Sequence, residues 1–189
     1  MTTIPSISSA TEPVADLDVN RVHEEHADFV WRSLQRLGVA RQDLEDALQE
    51  VFVVVHKKLA SFDHSARVST WLFGICLRVA SSYRRRAHRR REELHDTLEE
   101  SAASASADPE RRLLTLELAE RLEQALSALG LERRAVFVMF EIEGMSAGAI
   151  AEMLGVPVGT VYSRLFTARA EFSKAVARLE HRDASRGLR

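Results

Sequence analysis

Apolar residues recur along this chain with the 3.6-residue period of amphipathic helices, and no useful length alternates as a half-buried strand would. The clearest stripe is Leu44, Ala47, Leu48, Val51, Phe52, Val55 and Leu59, at offsets 0, 3, 4, 7, 8, 11 and 15. An earlier helix over 21–38 carries Val22, His26, Phe29, Val30, Ser33 and Leu37, and Gly38 supplies the residue type that commonly closes a helix. After a polar loop from Ser61 to Ser69, Trp71 opens a third helix with Leu72, Ile75, Cys76, Val79 and Tyr83 on its apolar side. The pattern breaks over 92–110, then resumes with Leu118, Leu122, Ala125, Leu126 and Leu129, followed by helical segments over 133–142, 147–154 and 158–180. The expected fold is all-α: one small helical domain over 21–91 and a second over 111–180. A flexible acidic linker over 92–110, rich in Ser and Ala, joins them. Residues 1–20 read as a disordered N-terminal extension and 181–189 as a C-terminal tail.

Composition narrows the class. The chain has 189 residues, enough for one ordinary domain or two small ones, and 46% of them are hydrophobic. No apolar run approaches the ~20 residues of a membrane-spanning helix, so membrane insertion is not expected. Residues 1–20 lack the basic start and apolar middle of a signal peptide. A single cysteine, Cys76, excludes an internal disulfide and a multi-cysteine zinc site, and fits a reducing, cytoplasmic setting. Its place on an apolar stripe reads as inert packing. His23-Glu-Glu-His26 spaces two histidines at i and i+3, but no third ligand stands near them. With no glycine-rich phosphate loop and no nucleophile motif, neither enzymatic activity, a metal nor a cofactor is expected.

The net charge of −2 speaks against a nucleic-acid partner until it is resolved along the chain. Residues 1–65 hold 11 acids and 6 bases, 66–91 hold 8 arginines and no acid, and 92–123 hold 10 acids and 3 bases. From 156 onward there are 7 bases against 3 acids. A phosphate backbone responds to the field within a Debye length of ~8–10 Å, so opposite blocks hide in the sum but not at a surface.

Three constellations carry the candidate chemistry. In the C-terminal half, Ser146 can cap a helix lined inwardly by Ile150, Ala151 and Leu154. Gly155-Val156-Pro157 then turns the chain into a helix with Val161, Leu165, Ala168 and Phe172 inward. This is the layout of a helix-turn-helix, whose second helix enters the major groove; the plainer alternative is a helical hairpin with a solvated face. Tyr162, Ser163 and Phe166 fall on its outer face, with Arg164 and Arg169 at the flanks. In the central segment, Trp71, Arg78, Ser82 and Arg85 recur on a face other than the apolar one. They lead into six arginines within 84–91. A basic helix beside a polar loop and an aromatic can track phosphates and stack an unpaired base, while core packing for Trp71 and a solvated tail for the arginines are the plainer readings. On the second helix, Asp46, Gln49, Glu50 and Val53 form a stripe suited to a partner helix, or to water.

In this order the segments resemble the extracytoplasmic-function (ECF) sigma factors, group IV of the sigma-70 family, the compact promoter-recognition subunits of bacterial RNA polymerase. The resemblance is carried by Leu44-Glu-Asp-Ala-Leu-Gln-Glu-Val-Phe52, by Ser61-Phe62 through Ser69-Thr-Trp-Leu-Phe-Gly-Ile75, by Asp108-Pro-Glu110, and by Gly155-Val-Pro-Val-Gly-Thr-Val-Tyr-Ser-Arg-Leu165 with Ala168-Arg169. It implies a sigma2-like bundle over 21–91 and a sigma4-like helix-turn-helix domain over 111–180. Asp46, Gln49, Glu50 and Val53 would dock on the clamp helices of the largest polymerase subunit, and the flap of the second-largest subunit is a further implied partner. Ser61, Phe62, Asp63, His64, Arg67, Ser69, Thr70, Trp71, Arg78, Ser82, Arg84 and Arg85 would bind and melt the −10 element, holding a flipped base of the single strand. Pro157, Gly159, Thr160, Tyr162, Ser163, Arg164, Phe166, Thr167 and Arg169 would read the −35 element as duplex. An anti-sigma protein is the remaining implied partner. Three positions depart from the family pattern: Arg78, where Asn is common, and Tyr162 and Thr167, where cations are common. A free-standing dimeric regulator would account for the helix-turn-helix and leave Trp71 and its loop unexplained.

Overall fold

The computed structural model describes residues 18–63, 66–93 and 109–186, and among these every regular element is helical. Three helices build the N-terminal bundle: α1 (Val19–Leu37), α2 (Leu44–Lys58) and α3 (Val68–Glu93). Four build the C-terminal one: α4 (Pro109–Ser127), α5 (Leu131–Phe137), α6 (Ala147–Leu154) and α7 (Val158–Arg186).

The predicted stripes are the buried ones. Val22, Val30, Ser33, Leu34 and Leu37 of α1 pack on Leu44, Ala47, Val51, Phe52 and Val55 of α2, and on Leu72, Phe73, Ile75, Cys76, Val79, Ala80 and Tyr83 of α3. Leu34 and Phe73, fully buried, widen the two predicted stripes. His26 and Phe29 are only half-buried. α1 closes as expected at Gly38, in the left-handed region at φ 90°. Its N–H donates to the Gln35 carbonyl (2.9 Å) and that of Val39 to the Leu34 carbonyl (3.1 Å), while Val39 and Leu34 are both buried.

Helix ends differ from the expected ones where tertiary contacts extend them. α1 starts at Val19 and α4 at Pro109, inside segments expected to be irregular. α7 runs to Arg186, six residues past the expected end, because Arg121–Asp183 (2.9 Å) and Arg182 to Gln124 (2.9 Å) fasten its last turns to α4. The predicted helix over 133–142 starts at Leu131 and widens into a π turn over Val138–Ile142, where the Glu143 N–H reaches back to the Val138 carbonyl (2.9 Å).

The largest departure from the sequence reading concerns the relation of the two bundles. Their buried apolar side chains form one continuous cluster that includes Val22 and Leu37 at one end and Leu165 and Ala168 at the other. α1 touches α4 and α5, and Met153 of α6 lies over Gly74 of α3, 3.6 Å from where a Cβ would stand. Periodicity shows which face of a helix is buried but not which bundle buries it.

Candidate nucleic-acid interface

α3 begins at the polar loop and carries its basic face outward. Trp71, half-buried, donates its backbone N–H to the Arg67 carbonyl (3.1 Å), and its ring lies against Phe62 with centroids 4.8 Å apart. The Trp71 ring is thus packed against Phe62 while the residue stays partly accessible at the loop. Ser61, Asp63 and Arg67 are exposed around it, Ser69 and Thr70 half-buried, and His64 lies outside the described residues. Two turns on, Arg78 is exposed, and Arg85 is exposed with its guanidinium on the Ser81 hydroxyl (3.0 Å). Ser82 accepts from Arg86 (3.1 Å). The partner of Arg85 is a neutral hydroxyl, so its charge remains available to phosphate, whereas Arg86 also faces the Glu50 carboxylate. Arg84 is turned the other way: its Nη1 donates to the Leu37 carbonyl at the end of α1 (3.3 Å), which removes it from the face that Arg78 and Arg85 share.

The α2 stripe is present as expected, with Asp46 and Gln49 exposed and Val53 51% exposed. Glu50 is half-buried and 3.6 Å from Arg86 of α3, whose guanidinium also covers the Tyr83 ring at 4.6 Å. Burial, then the Glu50 carboxylate, pushes the Tyr83 phenol up from its ordinary range. The His23 ring lies against Phe52, centroids 4.5 Å apart.

The helix-turn-helix follows its predicted geometry. The Ser146 hydroxyl accepts from the Ala149 N–H (3.2 Å) and caps α6, and Gly155 at φ 63° closes it while Val156 donates to the Ala151 carbonyl (3.0 Å). Ile150, Ala151, Val161, Leu165 and Ala168 are buried between the two helices, and Phe172 stacks on Phe137 at 4.7 Å. Pro157 and Gly159 stand exposed at the start of α7, and the Thr160 carbonyl accepts from the Ser163 hydroxyl (3.0 Å). The outer face is apolar and aromatic: Val158, Tyr162 (56% exposed) and Phe166 (77% exposed) follow at four-residue steps, with Ser163 and Thr167 beside them. The flanking cations are tied down. Arg164 pairs with Glu132 (2.5 Å) and Arg169 with Glu141 (2.6 Å).

Sequence reasoning missed those two carboxylates, and it missed Arg134. That residue is 2% exposed; its Nε donates to the Arg36 carbonyl and its Nη2 to the Gln35 carbonyl (3.2 Å). Desolvation first, then the nearby Arg84 charge, lowers its pKa to about 10. A signal existed: Arg133 and Arg134 directly precede the apolar run 135–140, a poor place for two solvated cations.

Comparison with known proteins meets this geometry at both ends. The sigma-70 region 2 model matches residues 22–90 and the sigma-70 region 4 model matches 119–172, the bundle with the basic α3 and the one with the helix-turn-helix. The architecture is therefore that of a sigma-70-type transcription initiation factor. The chain is 32% identical to the ECF RNA polymerase sigma-E factor of Haemophilus influenzae over 69% of its length and 73% of the relative's. It is 31% identical to that of Escherichia coli K12 over 79% and 82%. Among solved structures it resembles CnrH in complex with the cytosolic domain of CnrY, with a TM-score of 0.61 at 25% identity, over 85% of this chain and 88% of that one. It also shares the fold of RpoE from Bartonella quintana, solved with the anti-sigma factor NepR, with a TM-score of 0.66 at 22% identity over 84% and 96%. The chain belongs to the ECF RNA polymerase sigma factors.

Proposed function

We propose that the chain binds core RNA polymerase, places α7 in the major groove of the −35 duplex, and captures the −10 element as non-template single strand at the loop before α3. The observation that carries this reading is the outer face of α7. A ring as exposed as Phe166, one helical turn from Tyr162, sits opposite a buried stripe on a helix-turn-helix, where a partner is expected to cover it. α2 offers Asp46, Gln49, Glu50 and Val53 to the clamp helices of the largest subunit, and the C-terminal bundle meets the flap of the second-largest. The packed pair Phe62 and Trp71 would offer an aromatic surface to a flipped base, and Arg78 and Arg85 would track the phosphates of the strand. Capture of unpaired bases shifts an opening equilibrium without catalysis by the chain itself. The site of action is the cytoplasm, where the polymerase is, and an anti-sigma protein is a further partner of the same reading.

The base preference follows from the ion pairs. With Arg164 held by Glu132 and Arg169 by Glu141, readout falls to the rings and hydroxyls of Tyr162, Ser163, Phe166 and Thr167, which suit thymine methyl groups better than guanine edges.

Transcription in vitro tests the reading. The chain, added to core polymerase on promoter fragments, is expected to direct initiation that core alone does not. Failure to bind core, together with tight duplex binding by the free chain, would replace it with a dimeric regulator. Uracil in place of thymine in the −35 duplex is expected to weaken binding, and indifference to that exchange would overturn the methyl readout.

A further inference from the structure

Helix α7 is longer than the reading of one groove requires. Its 29 residues span roughly 43 Å at ~1.5 Å per residue, whereas a major groove is ~12 Å wide, the length of about eight helical residues. The segment from Val158 to Phe166 accounts for that width. The region 4 match ends at residue 172, so residues 173–186 of α7 lie beyond it.

Those residues continue one side of the reading face. Ser163, Thr167, Lys174 and Arg178 follow at steps of four, seven and four residues, which keeps them in line on a 3.6-residue helix, and Arg182 stands one turn further on. Lys174, Arg178 and Arg182 are all exposed. The acids that could neutralise them are engaged elsewhere or face away. Glu171, in the same line, pairs with Arg133 of α5 (2.9 Å), and Asp183 pairs with Arg121 of α4 (2.9 Å). Glu180 falls about 120° or more around the helix from each of the three cations. Arg178 donates to the Lys174 carbonyl (3.2 Å) and Arg182 to the Gln124 side-chain oxygen (2.9 Å), both neutral acceptors. Lys174 has no carboxylate partner among the described residues. This half of α7 therefore keeps the field that Arg164 and Arg169 lose to Glu132 and Glu141.

From this placement we infer that Lys174, Arg178 and Arg182 form a second, sequence-independent DNA contact, on the phosphates of the duplex that flanks the −35 element on the side toward which α7 runs. The inference rests on the proposed assignment of α7 as the −35 reader. With Ser163 at the bases, Lys174 stands about 16 Å and Arg178 about 22 Å further along the axis, past the groove, where its phosphate wall and the flanking duplex are the next surface. Duplex is the occupant whose chemistry matches. It offers a negative charge every ~1.7 Å of its length, and cations repeated every ~6 Å along a helix can meet that line without a shaped pocket. Phosphate contacts fix register and orientation without naming bases, so the rings of Tyr162 and Phe166 would discriminate while the stripe holds.

The test measures binding of the full chain to duplexes by fluorescence anisotropy over a series of salt concentrations. One duplex carries the −35 element with a flank of about one helical turn on each side, and two others have one flank or the other cut back to the element. Lys174→Gln with Arg178→Gln is expected to make the log–log salt dependence shallower by about two units on the full duplex, and to match the wild type on one of the shortened ones. Preference for the −35 sequence over a scrambled one should be unchanged, and Lys174→Arg with Arg178→Lys should keep the wild-type slope. Arg182 stays in place because it also fastens α7 to α4, and circular dichroism identifies a variant that has unfolded. A wild-type slope for the glutamine variant on the full duplex would overturn the inference, as would a difference that persists whichever flank is removed. Normal salt dependence together with impaired transcription by the polymerase complex would give the stripe to an acidic protein surface and overturn it as a DNA contact. A wild-type chain with no preference for the −35 sequence counts instead against the reader assignment, because the salt slope does not depend on sequence.

Discussion

The two bundles offer nucleic acid opposite kinds of surface. On α3 the outward Arg85 rests on the Ser81 hydroxyl, while Arg86 donates to Ser82 and also lies 3.6 Å from Glu50, within a stretch of eight arginines and no acid. On α7 the cations beside the reading face are matched one to one by carboxylates, and what projects is Tyr162 and Phe166. Cations on neutral partners keep their long-range field, which attracts any phosphate chain. Cations in ion pairs lose much of that field, so on the proposed reading discrimination would pass to shape and methyl contact. On the proposed reading, one bundle would hold a strand whose bases are unpaired and the other would sort duplex sequences.

Substitutions separate these roles, beginning with the largest effect. Phe73 is fully buried in the N-terminal bundle and Phe166 is the more exposed of the two rings on the outer face of α7, so the same change at each should have opposite signatures. Phe73→Ala should cost about 3–5 kcal/mol in urea unfolding. Phe166→Ala should leave stability within about 0.5 kcal/mol while weakening −35 duplex binding. Equal destabilisation by both would erase the distinction between packing ring and reading ring.

Trp71→Ala comes next, at about 1–3 kcal/mol of strand capture if the ring stacks a base. Binding to core polymerase should be kept and open-complex formation impaired, read by permanganate reactivity of unpaired thymines. Normal melting would return Trp71 to packing against Phe62.

Cys76 provides a pH test confined to the N-terminal bundle. Burial pushes its thiol up to about 12 from an ordinary value of 9.0. Between those values the unfolded chain has released the proton and the folded chain still holds it. Stability should therefore be fully present below pH 9 and fall above it, by up to about 1.4 kcal/mol per pH unit. Urea unfolding between pH 8 and 10.5 should show this extra slope in the wild type and not in Cys76→Ala. Slow reaction of the native thiol with maleimide would agree with it.

The smallest effects are in salt dependence, where the bundles should move in opposite directions. Arg85→Ala should make the dependence of promoter binding on salt shallower by about one unit of log–log slope. Glu132→Gln with Glu141→Gln should free Arg164 and Arg169, raise affinity at low salt and steepen the slope. An unchanged slope in both would mean that neither set of cations meets phosphate.

Much of the site could be read before the fold. The helix-turn-helix was legible because its turn chemistry is local: Ser146, Gly155 and Pro157 act within a few residues of themselves. The stripes of α2 and α3 were legible because one face of a short bundle must be apolar. Arg84 was misread for the same reason in reverse. Its position in an arginine run suggests an outer face, yet its long side chain reaches back to the Leu37 carbonyl, an acceptor made available only by the end of another helix. The pairings of Glu132 and Glu141 were not legible because their partners lie 32 and 28 residues away.

By itself the sequence determined the helical class, the helical stripes and the family, since each depends on residues within a turn or two of one another. It also determined that a net charge of −2 conceals a basic α3. Only the tertiary structure decided which cations remain available and which are neutralised, and that Arg134 crosses from one bundle to the end of α1 in the other. Ion pairs and helix-end contacts are set by distances in space, and a guanidinium on a flexible stem can satisfy a solvent, a phosphate or a distant carbonyl with the same local sequence around it.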